Sequence, residues 1–426
     1  MNLKNIGLIF IILIGMKNTF AGNIVEIKKD ANTYKLIVNG KQTYILGVGC
    51  GESFGSQNEN YLKLAKELGA NAVRTWGITQ GNKKYLDEAY RNGLFVCAGL
   101  WLNPVYENGK CSYLTDFNYQ RKVRKEILDY IKKYKDHPAI LFWNVGNEVF
   151  FFTKDEKERI GFAKFLNNLI KEIKKIDKNH PVIYTSSSTT GLNYIIKYVH
   201  ELDIFGMNLY GGISMSIFMC KRQKLNKPII ITEFGPLGPW DRPKDINGVP
   251  IEQREYEKAV IYRNYFKEIK KYQDIVLGAF AFHLGETTQE SLSWWNINVG
   301  NFKKESFWEL FKLYTGKKIK NRAPRIISLK LSKQKNLNPG EWFEVKVKAI
   351  DPDKDKLNYK YLCSEAKEGI LQYYVNKKIN IEVRGTENNV KIKAPLQPGV
   401  YRIYVLVTDP YGNADIYNKS ISVSEL

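Results

Sequence analysis

The fold of this chain is decided by the stretch ILFWNVGNE at residues 140–148, an apolar run that ends in a short polar tip. A second stretch, IIITEFG at residues 229–235, repeats the pattern. Each predicts a buried strand that presents a glutamate, Glu148 or Glu233, at its carboxyl end. Barrel enzymes built from parallel strands carry their chemistry at that end, and two carboxyl groups are the minimum needed to break a glycosidic bond. The pair therefore predicts a glycoside hydrolase.

The sequence around these stretches alternates between apolar runs and helical periodicity. Eight such pairs over roughly 270 residues are the size and rhythm of a (β/α)8 TIM barrel, an α/β fold. Prolines after His137 and His180 mark the ends of the helices before the fourth and fifth strands. The predicted strands are 44–49, 72–75, 95–100, 140–144, 182–185, 204–209, 229–232 and 277–282. The predicted helices are 61–68, 83–92, 119–134, 156–176, 192–199, 216–224, 252–271 and 307–313.

The pattern changes near Asn321-Arg322-Ala323-Pro324, beyond which short alternating runs replace helical periodicity. About seven short strands within roughly a hundred residues predict a small all-β sandwich. The acidic turn at residues 351–359 and the final hairpin resemble immunoglobulin-like modules of exported bacterial enzymes. The predicted domains are a signal peptide at 1–21, a glycosidase barrel at 22–320 and an immunoglobulin-like sandwich at 321–426. The change in composition further predicts that the barrel folds without the sandwich.

The amino-terminal residues predict where the protein is located, and the net charge indicates what kind of surface and partner it has. A lysine, an apolar run at residues 6–14 and the small residues Thr19 and Ala21 predict a cleaved signal peptide and a secreted or periplasmic protein, with no transmembrane segment. The formal net charge of +21 favours a lysine-rich, solvated exterior, although an anionic partner stays open. The basic residues are not clustered as nucleic-acid binding requires, so no nucleic-acid partner is expected.

Cysteines and histidines predict no metal centre and no cofactor. The five cysteines lack framework or metal spacing, and the four histidines lack ligand spacing. Cys97 and Cys111 are open to two interpretations, a disulfide across one loop or ordinary buried thiols. Calcium at the acidic turn of residues 351–355 also stays open beside plain turn chemistry.

Two carboxyl groups divide the labour of such a reaction when one stays protonated and the other stays charged. The aromatic run at residues 149–152 disfavours charge on Glu148, which predicts the general acid/base. Glu233 is then the nucleophile, provided that Tyr210 donates a hydrogen bond that keeps it ionised and oriented. A packing role for Tyr210 at the barrel mouth is the alternative.

Together, Asn147-Glu148 after the fourth strand, Glu233 after the seventh, Arg74 after the second and Tyr210 after the sixth resemble the large clan of retaining glycoside hydrolases that includes family two. Residues 36–49 resemble the start of that family's barrel domain, and the likeness runs from about residue 24 to 316. The resemblance implies that Asn147 binds the sugar hydroxyl beside the reacting carbon. It also implies that Arg74 supports the nucleophile and that the reaction retains configuration.

The segment after the eighth strand departs from the clan, because it lacks the tryptophan commonly found there. Trp294 and Trp295, just downstream, are the predicted replacement as a sugar platform. Further stacking candidates in loops after strands are Trp76, Trp101 and Trp240, for each of which ordinary packing stays open. His283 completes the predicted substrate contacts. The partner expected at this site is an oligosaccharide or polysaccharide, and association with the cell surface through the C-terminal module stays open.

Three other functions are compatible with parts of the sequence. The motif GESFG at residues 51–55 fits the nucleophile elbow of esterases, with His283 as a conceivable partner. A transglycosylase acting on β-glucans needs the same two glutamates, with a second sugar in place of water. A catalytically idle carbohydrate-binding or adhesion protein is the third, but it has no need for either carboxyl group.

Overall fold

Eight parallel strands close into a barrel, which confirms the predicted TIM fold. The computed structural model describes residues 22–105, 111–287, 289–366 and 376–425. The predicted signal peptide lies outside these residues. A three-stranded antiparallel sheet comes first, formed by β1 (Val25–Asp30), β2 (Thr33–Val38) and β3 (Lys41–Thr43). The barrel strands are β4 (Ile45–Gly49), β5 (Ala72–Arg74), β6 (Phe95–Leu100), β7 (Ile140–Asn147), β8 (Val182–Ser187), β9 (Ile204–Leu209), β10 (Ile229–Phe234) and β11 (Val276–Ala281).

Helices follow the strands, as the periodicity predicts. They are α1 (Tyr61–Leu68), α2 (Lys83–Arg91), α3 (Phe117–Tyr134), α4 (Val149–Phe152), α5 (Glu156–Ile176), α6 (Leu192–Tyr198), α7 (Ile213–Arg222), α8 (Glu255–Lys270) and α9 (Glu305–Thr315). Asparagine or aspartate side chains cap the start of several of these helices. The side chain of Asn60, for example, accepts a hydrogen bond from the backbone N–H of Lys63. The short helix α4 was not predicted, because its four residues are too few for a periodic signal.

The barrel core explains why the strands read as unbroken apolar runs. All eight residues of β7 are buried, as are all six of β10. Strands covered on both faces need no polar alternation. The three-stranded sheet joins the core at the amino-terminal end of the barrel, where Val25 and Leu36 cluster with Ile45 and Phe142. The opposite, carboxyl-terminal end is left for a site.

The chain after α9 forms two antiparallel sheets that share one core. A small hairpin of β12 (Asn298–Val299) and β13 (Phe302–Lys303) precedes α9. Four strands make the first sheet of the module, in the order β14 (Arg325–Leu331), β15 (Trp342–Ile350), β19 (Asn389–Lys393) and β18 (Val383–Thr386). The second sheet has the order β17 (Lys378–Ile379), β16 (Asn358–Glu365), β20 (Gly399–Thr408) and β21 (Ala414–Val423). Side chains from both sheets share one hydrophobic cluster, so the predicted all-β module is confirmed. Its immunoglobulin-like character stays a prediction.

Buried charges join this module to the barrel. Asn418 of β21 donates to Glu252 over 2.6 Å, and Glu252 pairs with Lys258 at 2.7 Å. Lys258 also contacts Glu255 at 3.0 Å, and Lys304 reaches the same carboxylate at 2.8 Å. These four charged residues are each at most 4% exposed, which requires that each charge be paired. The module is therefore packed against the barrel through polar contacts that exclude water.

The described residues include all five cysteines. All five cysteines are buried and free, so Cys97 and Cys111 are not bridged, and burial raises the pKa of the Cys97 thiol to about 12.

None of the helices within the described residues combines the length and the hydropathy that a bilayer crossing demands.

Candidate active site

A cavity of about 750 Å³ opens at the carboxyl-terminal end of the barrel strands. Glu148 lies directly after β7 and Glu233 lies within β10, one residue before its end. Both line the cavity, together with Asn147 and Tyr210. The predicted carboxyl groups and two of their predicted neighbours therefore converge on one concave site.

Glu233 is held by donors on both of its oxygens. Arg74 Nη1 lies 2.6 Å from Oε1, and the indole N–H of Trp76 donates to the same oxygen over 2.9 Å. The Tyr210 hydroxyl donates to Oε2 over 2.7 Å. Arg74 is fully buried, so its charge is stabilised by this carboxylate and the carboxylate by it. These three donors fix the orientation of the Glu233 carboxyl group. Its role as the nucleophile stays a prediction.

Tyr210 has the environment of a donor. Burial, and then the charge of Glu233, raise the pKa of its hydroxyl well above the usual value. The hydroxyl thus stays protonated and donates to the carboxylate. The centroid of its ring lies 4.9 Å from that of the Trp295 ring, so Tyr210 both packs against Trp295 and donates to Glu233.

Glu148 has the opposite environment. Burial, together with the nearby charge of Glu233, raises the pKa of Glu148 to about 7. The one side-chain donor that it meets among the described residues is Asn208, whose Nδ2 lies 2.9 Å from Oε1. A carboxyl group with this pKa is protonated for much of the time near neutral pH. The two glutamates thus lie in different environments: burial raises the pKa of Glu148, and three donors bind the carboxyl group of Glu233.

The backbone turns sharply at this point. Gly146 has φ +81°, and a β-carbon there would lie 3.3 Å from the Tyr184 ring. Glu148 itself has φ +55°, in the left-handed region that non-glycine residues rarely adopt. A backbone hydrogen bond from Glu148 to Thr185 of the next strand secures the turn. Strain of this kind is found where a fold presents a functional side chain.

Asn147 and Arg74 belong to one network. Asn147 Oδ1 accepts from Arg74 Nη2 over 2.7 Å and from Asn208 Nδ2 over 3.3 Å. Thr232 in turn donates to Asn208 Oδ1 over 2.8 Å. Because Oδ1 of Asn147 takes both bonds, its amide N–H groups are oriented by the protein.

The predicted substrate contacts Trp101, His283 and Trp295 all line the cavity. The Trp101 indole donates to Asn103 over 2.9 Å, which fixes its ring. Trp295 lies 6.2 Å from Trp240, measured between ring centroids. Burial lowers the pKa of His283 to about 4, so its imidazole is neutral at ordinary pH. These rings supply the apolar walls on which sugar faces stack.

Trp294 is placed elsewhere, and the prediction that it binds sugar needs correction. It is 1% exposed and does not line the cavity. Its indole N–H donates to the backbone of Leu237, and Arg402 of the C-terminal module lies 5.7 Å from its ring. Trp294 and Trp295 lie in an irregular segment of bends, so their directions follow from the path of the loop and not from a periodic pattern in the sequence.

Two features of the site are not predicted from the sequence, namely Asn208 and the hydrogen bond that Trp76 donates. Asn208 is 4% exposed at the end of β9, and its amide joins Glu148 to Asn147. A polar residue inside the apolar run IFGMNL was the available signal, since carboxyl ends of barrel strands carry functional side chains. Trp76 was considered only for stacking.

The esterase alternative loses its structural basis. Residues 50–60 form an irregular segment between β4 and α1, whereas a nucleophile elbow needs a sharp strand-to-helix turn. The backbone carbonyl of Ser53 accepts a hydrogen bond from Tyr61, at the start of α1. Ser53 is also missing from the residues that line the cavity.

The acidic turn of the C-terminal module has a geometry that calcium would tolerate. Asp351, Asp353 and Asp355 bring one carboxylate oxygen each to within 4.8 Å of one another. Arg322 already pairs with Asp353 at 2.7 Å, and Asn321 donates to Asp355. Asp351 Oδ1 also accepts the backbone N–H groups of Asp353 and Asp355, which is the plain turn chemistry that the sequence leaves open beside calcium.

A known protein family matches most of this chain. Residues 25–325 match the family described as glycosyl hydrolases family 2, TIM barrel domain. The chain belongs to glycosyl hydrolase family 2. This membership confirms the predicted resemblance and places the cavity in a family whose named relatives are glycosidases.

Family 2 relatives are distant from this chain in sequence. Mouse β-glucuronidase is 25% identical over 279 residues, which cover 59% of this chain and 40% of that protein. A β-galactosidase of Bacteroides ovatus is 24% identical over 233 residues, which cover 46% of this chain and 26% of that protein. The chain thus spans well under half the length of these curated relatives.

Solved structures of family 2 proteins share the fold. A Bacteroides uniformis β-glucuronidase 2, covalently bound to cyclophellitol-6-carboxylate aziridine, aligns with a TM-score of 0.53 at 14% identity. The alignment covers 94% of this chain and 48% of that one. At this identity the likeness concerns the architecture, which includes the C-terminal sheets as well as the barrel.

Proposed function

We propose that this chain is a retaining glycoside hydrolase that cleaves β-linked glycans through a covalent glycosyl-enzyme intermediate. One observation carries the proposal: Glu148 and Glu233 line the same cavity in opposite environments. An idle binding protein would have no use for two carboxyl groups held in opposite environments and facing one ligand. The named glycosidases of family 2 support the same reaction class.

The proposed first step joins Glu233 to the sugar. Its carboxylate attacks the anomeric carbon while Glu148 gives its proton to the departing oxygen. Glu148, now ionised, then removes a proton from water, which releases the sugar from Glu233 with retained configuration. A second sugar arriving in place of water would give transglycosylation at the same residues.

The neighbouring residues support this chemistry without taking part in proton transfer. Arg74, Trp76 and Tyr210 hold the nucleophile in place before substrate arrives, so that little reorganisation is needed. Asn147, oriented by Arg74 and Asn208, is the proposed donor to the sugar hydroxyl beside the reacting carbon. The covalent ligand named for the B. uniformis protein is consistent with a nucleophile in this fold.

Azide rescue tests the two roles separately. Glu233→Ala should abolish turnover of an aryl β-glycoside, and azide should restore it with an inverted glycosyl azide, because the anion attacks from the vacated side. Glu148→Ala should keep activity on substrates whose leaving group needs no proton, and azide should give a retained product there. Product configuration is read by NMR, and added acceptor sugars reveal any transglycosylation.

Several results would contradict this assignment. Exchanged configurations in the two variants would reverse the roles of acid and nucleophile. Unchanged turnover in both variants would place the chemistry elsewhere. Glu268→Ala is the control, because that glutamate caps the Ser214 end of α7 and does not line the cavity.

We also propose that the protein is exported, on the strength of the amino-terminal sequence alone. Residues 1–21 carry the charge, the apolar run and the small residues of a cleaved signal. Expression in a bacterial host should yield an extracytoplasmic protein whose first residue follows Ala21. Replacing the apolar run with polar residues should retain the protein inside the cell.

A further inference from the structure

Every charged side chain that lines the cavity, among the described residues, is a glutamate. Glu52 and Glu286 join Glu148, Glu233 and Glu290, and no lysine or arginine lines the wall. The chain as a whole carries 65 basic and 44 acidic residues. An acidic cavity in a strongly basic protein runs against the composition, so the charge of the cavity calls for a functional explanation.

Glu52 and Glu286 lie on neighbouring parts of the rim. Glu52 follows β4 and Glu286 follows β11, and these two strands pair in the barrel. Ser56, in the same loop as Glu52, lies 3.2 Å from Oε2 of Glu286 and joins the two loops. Burial, and then the charge of Glu286, raise the pKa of Glu52. The two carboxyl groups therefore act on one region of the cavity.

Among the described residues that line the cavity, none is a cation that would compensate these two carboxyl groups. The imidazole of His283 is neutral, because burial lowers its pKa to about 4. His283 lines the cavity at 8% exposure, and its Nδ1 has no hydrogen-bond partner among the described residues. Arg74 is committed to Glu233 and Asn147. A sugar carboxylate entering the cavity would meet like charges and, among the described lining residues, no lysine or arginine outside the Glu233 pair, which is unfavourable at close range.

We propose that this cavity selects its glycoside by charge, favouring a sugar with a protonated amine over a neutral sugar, and a neutral sugar over a uronic acid. The inference rests on the proposed hydrolase function and names its substrate class. Glu52 and Glu286 accept hydrogen bonds from the amine, and the same carboxylates repel a uronate. The chain then differs in substrate from the relatives named β-glucuronidase.

The test compares aryl β-glycosides of glucose, of glucosamine and of glucuronic acid, which share a ring and differ in charge. The wild-type kcat/KM should be highest for the glucosaminide and lowest for the glucuronide. Glu52→Gln and Glu286→Gln should each narrow the ratio between these two by roughly two- to fivefold, the effect of one partly exposed charge. The intrinsic reactivities of the two substrates are the same for every variant, so they cancel when the glucosaminide-to-glucuronide ratio of a variant is divided by that of the wild type. The change in this ratio therefore reports the effect of the removed charge.

Asp129→Asn is the matched control, since it removes one acidic charge on α3 at a residue outside the cavity lining. It should leave the ratio unchanged. A wild-type preference for the glucuronide, or a ratio that both rim variants leave unaltered, would overturn the inference while the hydrolase stands. If none of the aryl glycosides is turned over, the proposed function fails instead. The binding order of the three methyl glycosides, measured by saturation-transfer NMR, then still decides the charge preference.

Discussion

The chemistry proposed for this chain depends on the different environments of two glutamates. Glu148 meets burial and the charge of Glu233, and its pKa rises to about 7. Glu233 meets an arginine, an indole and a phenol, each of which donates to its carboxylate. The same side chain thus serves as acid or as nucleophile according to its neighbours.

A pH profile should reveal Glu148 directly. The acid must be protonated, so kcat/KM on a substrate with a poor leaving group should fall as the pH rises through about 7. On an activated aryl glycoside, which needs no proton, the wild type should not show this alkaline limb. Glu148→Gln should lose most of its turnover of the substrate with the poor leaving group and keep that of the activated one. An alkaline limb with the same midpoint on the activated substrate would assign the limb to another group.

Tyr210 provides a second test at the level of one atom. Tyr210→Phe removes the 2.7 Å donor to Glu233 and leaves the bonds to Arg74 and Trp76 in place. We expect kcat to fall by roughly ten- to a hundredfold, the effect of one hydrogen bond to a charged group. Tyr265→Phe is the matched control, because its hydroxyl donates to the Tyr210 backbone instead. Equal activity in the two variants would assign Tyr210 a packing role only.

At the level of elements, strand β20 of the C-terminal module supports the loop that follows β11. Arg402 of β20 lies over Trp294 and donates to the Pro250 carbonyl over 3.0 Å. Trp294 is followed by Trp295, which lines the cavity. The loop also donates its Leu292 backbone N–H to the Tyr404 hydroxyl of β20. One wall of the site is thus backed by a different domain.

Arg402→Ala should therefore affect both stability and activity. The change removes buried bonds to Asn418 and Pro250 and leaves their acceptors unsatisfied. We expect the free energy of unfolding to fall by about 2–4 kcal/mol, as for other broken buried networks, and kcat/KM to fall with it. Urea denaturation and glycoside assays measure the two effects. Lys391→Ala, an exposed cation of β19, should change neither.

On the scale of the whole molecule, the barrel and the module depend on each other. The network of Glu252, Lys258, Glu255 and Lys304 is almost fully buried where the module meets the barrel. Burial alone would raise the pKa of Glu252, but Lys258 and its other basic neighbours lower it to about 2. Asn418 and Arg402 of the module both act on Glu252, so part of this network depends on the module.

Truncation after Lys320 should accordingly give an insoluble or inactive barrel, the reverse of what composition alone suggested. Removal of the module exposes Leu292, Trp294 and the buried ion network together. Soluble yield, circular dichroism and glycoside turnover of the truncated protein measure the outcome. A soluble barrel with full activity would show that the module is an independent appendage.

The sequence by itself determined the barrel, the all-β module and the candidate pair of glutamates. Those features are written locally: apolar runs of strand length, helical periodicity between them, and polar residues at strand ends. Glu148, Glu233, Arg74 and Tyr210 could be chosen because each lies at or near the carboxyl end of a strand, and a parallel barrel gathers those ends.

Only the tertiary structure decided which side chains meet. Trp295 faces the cavity and Trp294 the module, and Asn208 joins Glu148 to Asn147 across two strands. Buried hydrogen bonds between the barrel and the module likewise join residues 166 positions apart, such as Asn418 and Glu252. Such contacts depend on side-chain direction and on long-range packing. Neither leaves a periodic trace in the sequence, because periodicity records only which face of an element is buried.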